Sequence, residues 1–198
     1  MDAYCGWCYG FSDSISMFHE NNPEIPIEVL SGGLFTNERS LAIKNYPHIP
    51  QANKKISQVT GAVFGKRYEE LLRVGNIVLN SEHPAIGLSA LKSLDSTKGV
   101  EYAAEIQKSF YLDGRNLNDN EVYLSIADKF GLDRSLLKEK LASKEILDSA
   151  HNDFIKSQTL KVEGYPTLLL KQDQTYTYLG GSLLTPHEIE YRIKKLIS

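Results

Sequence analysis

The two cysteines of the chain, Cys5 and Cys8, stand three positions apart at the start of a helical pattern. That placement constrains the fold more than any other feature. From Cys8 onward, apolar residues recur at Phe11, Ile15 and Phe18, four and three positions apart. This spacing lays one buried stripe along a helix that begins within the Cys5-Gly6-Trp7-Cys8 motif. A structural staple is a poor explanation for the pair, because a stabilising disulfide closes a longer loop and small disulfide-built domains use several. The spacing points to chemistry instead.

A helix N-terminus presents unpaired backbone amides and about half a positive charge, and both favour a thiolate over a thiol. In such motifs the thiol pKa falls from about 8.5 to roughly 3.5–7.5, so attack at neutral pH becomes efficient. Cys5, the outer cysteine, is expected to be the exposed nucleophile. Cys8, one turn further in, is expected to be shielded until it attacks Cys5 and releases a bound partner. Trp7 lies between them at a loop-to-helix junction and suits an apolar rim around the reactive sulfur. Two bland readings compete. Half of a zinc site would need two more ligands, and His19, His48, His83, His151 and His187 lack paired-ligand spacing, so no metal is expected. Two inert core cysteines would sit oddly at a tight helical start.

Along the rest of the chain, Asn21, Asn22 and Pro23 end the first helix. Ile27–Leu30 alternates as a half-buried strand, and Ser31, Gly32 and Gly33 turn the chain. Helical spacing then runs through 59–72, 86–94, 100–111, 121–130, 134–141 and 144–160. Asn118 or Asp119 can cap one helix, Gly131 can close it, and Asp133 can cap the next. Gly164, Tyr165 and Pro166 precede a strand over 167–170, a turn over 171–174 and a second strand over 175–179, which Gly180 and Gly181 break. Thr185 and Glu188 form a capping box with Pro186 at the first helical position, and the last helix is expected to bury Ile189, Ile193, Leu196 and Ile197.

Composition narrows the partners. With 198 residues, 41% of them apolar, the chain can bury a substantial core, and no low-complexity tract suggests disorder. A net charge of −3 provides no basic stripe for nucleic acid or an anionic membrane surface. No apolar run approaches the ~20 residues that span a bilayer, and residues 1–15 lack a signal-peptide pattern, so a cytoplasmic location is expected.

An early Cys-x-x-Cys on a helix, then a strand, a helical stretch, Gly-x-Pro-Thr, a hairpin and a final helix follow the element order of the thioredoxin fold. At Asp2–Phe11, Gly32–Leu34 and Phe110–Leu132 the chain resembles the DsbA family, specifically its FrnE-like branch. The resemblance implies an α/β thioredoxin fold with a large all-helical insertion. Residues 1–36 and 161–198 would form a discontinuous thioredoxin-like domain, and 37–160 the helical insertion. It implies a thiol:disulfide oxidoreductase with Cys5 and Cys8 catalytic, a cis Pro166, and Trp7, Tyr165 and Pro166 at the substrate. Partners would be protein thiols and disulfides or glutathione, the latter as co-substrate, with no cofactor. DsbA carries a histidine between its cysteines where this chain has Gly6 and Trp7, which implies a less oxidising couple.

Only Met1–Tyr4 precede Cys5, fewer than the five or six residues of an ordinary strand. The opening strand of the fold is therefore expected to be short or to lie in a native stretch before Met1, which would also bear on location. Two other activities fit the resemblance less well. Glutathione-dependent transferases and isomerases of the kappa and hydroxychromene carboxylate types place a serine where this chain has Cys5. A peptide-binding module would leave both cysteines incidental.

Overall fold

The helix that carries the motif can approach its neighbour closely because two glycines face it. A computed structural model describes residues 1–197 of the chain. In it α1 (Gly6–Asn21) packs on α2 (Ile49–Thr60). A Cβ on Gly6 would lie 2.9 Å from Ile56 Cδ1, and one on Gly10 would lie 2.8 Å from Ile56 Cγ2. At i and i+4 the two glycines share one face, so the groove they leave receives Ile56. Asn22 ends α1 by donating its side-chain amide to the Phe18 carbonyl at 2.9 Å.

The helical pattern expected over 59–72 is interrupted. α2 ends at Gly61, which is left-handed (φ 78°), and α3 (Lys66–Val74) starts only after Gly65. The left-handed residue reverses the chain, and the periodicity on either side belongs to two separate helices. The remaining helices are α4 (Glu82–Leu94), α5 (Gly99–Tyr111), α6 (Glu121–Phe130), α7 (Arg134–Leu141) and α8 (Lys144–Thr159). Asp133 caps α7 by accepting from the Ser135 and Leu136 amides at 2.8 and 2.9 Å. Left-handed Gly131 closes α6.

β1 (Thr167–Gln172) and β2 (Thr175–Gly181) pair antiparallel as a hairpin, which among the described residues is the whole sheet. The two-residue turn is Asp173–Gln174. Gly180 and Gly181 do not break β2; they extend it through a bulge opposite Leu168 and Leu169. Glycine is required there for two reasons. Gly180 has φ 140°, and a Cβ on Gly181 would stand 2.6 Å from the Pro166 carbonyl oxygen. α9 (Pro186–Ile197) opens with the expected capping box: the Thr185 amide and hydroxyl donate to Glu188 at 2.8 Å, and the Glu188 amide returns to Thr185 Oγ1 at 3.2 Å. It buries Ile189 and Ile193, whereas Leu196 and Ile197 are exposed. The apolar stripe outruns the surface that α9 covers.

Ile27–Leu30 does not form a strand. Two side chains and the Met1 amino group satisfy this segment and the turn after it in place of a ladder. Lys92 Nζ donates to the Val29 carbonyl at 2.7 Å and the Met1 amino group to the Leu30 carbonyl at 2.8 Å. Asp153 accepts from the Ser31 amide at 2.9 Å. Between this segment and β1 lies a cavity of about 480 Å³, walled by apolar residues of α1, α5 and α9.

Buried residues fall into two clusters. The larger draws on α3–α8 together with Ala3, Tyr4 and Phe35, and is dense in aromatic pairs such as Tyr4 on Phe110 and Tyr68 on Phe110. The smaller joins Phe11 and Phe18 of α1 to Leu179, Leu184, Ile189 and Ile193. α1 lies at the seam between them.

Candidate active site

Cys5 is the N-cap residue of α1, with extended backbone (φ −84°, ψ 109°). Its carbonyl accepts from the Cys8 and Tyr9 amides at 2.9 and 3.1 Å, which closes the first turn. The motif thus winds straight into helix. Cys8, one turn along, falls on the buried face of α1.

The sulfurs occupy different environments. A hydrogen bond with the Cys8 thiol holds the Cys5 thiol below the ordinary range, helped by the backbone amides of Cys8 and Trp7, while burial and the Asp2 carboxylate act against this. Burial first, and then the bond to Cys5, push the Cys8 thiol well up. Cys5 is therefore the sulfur that ionises first, and its negative charge in turn discourages ionisation of Cys8. Both cysteines are free thiols.

Cys5 is less open than its outer position suggests: it is 7% exposed against 4% for Cys8. The loop before β1 lies against it. The Cys5 thiol donates to the backbone carbonyl of Tyr165 at 3.3 Å, across 160 residues of sequence, and the Tyr165–Pro166 peptide is cis. Tyr165, Pro166 and Cys8 border the same cavity. Trp7 is half-buried on the first turn of α1 and lines neither of the two cavities that Tyr165 and Pro166 border. The fold therefore gathers Cys5, Cys8, Tyr165 and Pro166, with Trp7 at the margin.

Two residues outside the motif complete the site. The Tyr165 hydroxyl donates to the Gly32 carbonyl, and a Cβ on Gly32 would stand 2.4 Å from the Tyr165 ring, so only glycine lets the ring lie there. Asp2 is 2% exposed. Its carboxylate accepts from the Tyr4 amide at 2.9 Å and the Leu34 amide at 2.8 Å, and its own amide donates to Cys8 Sγ at 3.4 Å. The sequence does contain a signal for Asp2, since an acidic residue directly before the aromatic, apolar start of a buried motif demands partners. Nothing in the sequence marks which partners those are.

A helix-capping cysteine with a favoured thiolate, a second thiol one turn inside and a backbone carbonyl held against the first can exchange disulfides. The sequence model of the thioredoxin family matches residues 4–180. The chain belongs to that family. No curated protein is matched by the sequence. Among solved structures, the cytosolic disulfide reductase DsbM from Pseudomonas aeruginosa superposes with a TM-score of 0.82 at 25% identity, covering 99% of this chain and 94% of that one. A proposed protein disulfide isomerase from Nitrosomonas europaea gives 0.84 at 17% identity, over 99% and 94%. A 2-hydroxychromene-2-carboxylate isomerase gives 0.67 at 13%, over 100% and 93%. The last two likenesses speak to the fold alone. This thioredoxin-family chain is a thiol:disulfide oxidoreductase, and its fold is the expected one with a helical insertion. Among the described residues, no helix is long and apolar enough to cross a membrane.

Proposed function

We propose that the chain reduces disulfides through Cys5 as the attacking thiolate and Cys8 as the resolving thiol, with glutathione or protein thiols as exchange partners. The observation that carries this reading is the position of Cys5 at the helix cap, its thiol favoured for ionisation and held against the Tyr165 carbonyl. Tyr165 and Pro166 would present backbone to an extended substrate, with Trp7 as an apolar flank.

The electrons balance in two steps. The Cys5 thiolate attacks one sulfur of the substrate disulfide; the new S–S bond joins Cys5 to that half, and the other half leaves as a thiolate. Cys8 then loses its proton and attacks Cys5 Sγ, forming the Cys5–Cys8 disulfide and releasing the second substrate thiolate. Two electrons have passed to the substrate. Two equivalents of glutathione thiol return the pair to the dithiol and leave as glutathione disulfide. A structure of DsbM with GSH, similar at a TM-score of 0.79 and 23% identity over 99% of this chain and 95% of that one, supports trying glutathione first. The cytosolic setting named for DsbM supports a cytoplasmic location.

Serine variants test the assignment. Cys5→Ser is expected to abolish insulin reduction. Cys8→Ser is expected to stop after the first step and accumulate a mixed disulfide, visible by mass spectrometry as a glutathione adduct on Cys5. Insulin reduction unaffected by Cys8→Ser, with turnover of a small electrophile intact, would favour the glutathione transferase activity and sink the dithiol reading.

A further inference from the structure

The leucines of β1 are out of keeping with its place in the sheet. An unbroken apolar run such as Leu168–Leu170 suits a strand that is covered on both faces, yet β1 has β2 on one side only and none of the three leucines is buried. Exposed strand edges are ordinarily guarded by charge or proline, and a hairpin by itself is barely stable in water. Leu168–Leu170 and Ile27–Leu30 instead line the cavity of about 480 Å³ that separates them.

Ile27–Leu30 is equally incomplete. Among the described residues, none of its four amides finds an acceptor. In an extended segment successive residues turn their backbone groups to opposite sides, and here Val29 directs its carbonyl to Lys92 while Leu30 directs its own to the Met1 amino group. That second contact, at 2.8 Å, has the form of a rung between parallel strands. A residue two places ahead of Met1 would continue the ladder by donating to the Glu28 carbonyl and accepting from the Leu30 amide. With α1 carrying the chain from one strand to the other, the arrangement is a β-α-β unit.

The lining adds a polar requirement. Gln107 of α5 borders the cavity, is 2% exposed, and its Nε2 has no partner. A buried amide donor without an acceptor is costly, and the backbone carbonyl of an extended chain is an acceptor of the right kind. No buried charge waits for an ionic ligand: Glu28 and Lys156 on the lining bind each other at 2.8 Å, and Lys171 is exposed.

We propose that the cavity is a strand slot, filled by an extended, mostly apolar segment of about six residues that leads into Met1 and pairs with Ile27–Leu30 on one side and β1 on the other. A segment joined to Met1 enters in register, because the first rung is already made; a separate chain would have to set its end against the Met1 ammonium group. The strand would bury the β1 leucines and back the resolving thiol, since Cys8 borders the cavity and its sulfur accepts from the Asp2 amide at 3.4 Å.

Mass spectrometry and hydrogen exchange on the protein isolated from its own cells test the proposal. The expected protein is heavier than the 198-residue chain, and its N-terminal peptide carries the apolar segment ahead of Met1. The amides of Ile27–Leu30 and Leu168–Leu170 should exchange at least about tenfold more slowly in it than in a chain that starts at Met1. Should the shorter chain fail to fold, proline in place of the residue two ahead of Met1 withdraws one rung from the longer chain and should speed exchange at Leu30 by about tenfold. A cellular protein that starts at Met1 would overturn the proposal. So would a longer one in which both sets of amides exchange as fast as in the shorter chain or, where that chain does not fold, in which the proline leaves exchange at Leu30 unchanged. Protection conferred only by a separate peptide or a co-purified lipid would overturn it too.

Discussion

The two hydrophobic clusters that flank α1 differ in how they are filled. On the helical side, Phe110 is 1% exposed and meets Tyr4, Tyr68 and Tyr111 edge-on, with ring centroids 4.9–5.1 Å apart. On the hairpin side, Ile189 is fully buried yet borders the cavity of about 480 Å³. One wall of the dithiol is thus close-packed and the other is loose. The contrast teaches where the site gets its rigidity. Cys5 and the Asp2–Tyr4 segment lean on the aromatic side, while the face of α1 that carries Phe11 leans on the hairpin and α9.

Phe110→Ala should be the more costly of two core truncations, lowering stability by about 3–5 kcal/mol, because the deleted ring leaves a cavity among rigid neighbours and ends three edge-to-face contacts. Ile189→Ala should cost towards the lower end of its range, about 2–3 kcal/mol, since fewer buried atoms are deleted than at Phe110 and the neighbours bordering the cavity have room to relax. Denaturant melts of the two variants check the order, and a larger loss at Ile189 would break the comparison. The smallest effect belongs to the surface. Glu28 and Lys156 pair at 2.8 Å with side chains 60% and 36% exposed, so Glu28→Gln should change stability by under about 1 kcal/mol and less still in high salt.

Much of the frame was legible in the residues. Helical spacing after Cys8 placed the motif at a helix start, and the Thr185–Glu188 box, Gly131 and Asp133 marked real ends because each acts locally. Long-range features were not legible. Ile27–Leu30 alternates like a strand, but only the fold decides whether another strand lies within reach, and here Lys92, Met1 and Asp153 hold the segment and the turn after it. Gly180 and Gly181 read as a break because a bulge and a close approach to Pro166 have no signature in one strand alone. The dithiol was readable from the spacing of Cys5 and Cys8 at a helix start, and the Tyr165–Pro166 loop through the resemblance. The role of Gly32, set by a ring 133 positions away, was not.

The central claim is that the two sulfurs are unequal, Cys5 ionising readily and Cys8 held protonated. The pH dependence of alkylation at each cysteine in the reduced protein, resolved by mass spectrometry, tests it most directly. The expected result is a Cys5 midpoint below the ~8.5 of a free thiol, with labelling that rises as pH passes upward through it, and a Cys8 that stays unlabelled through the neutral range. Equal labelling of both, with a shared midpoint at or above that of a free thiol, would contradict the account.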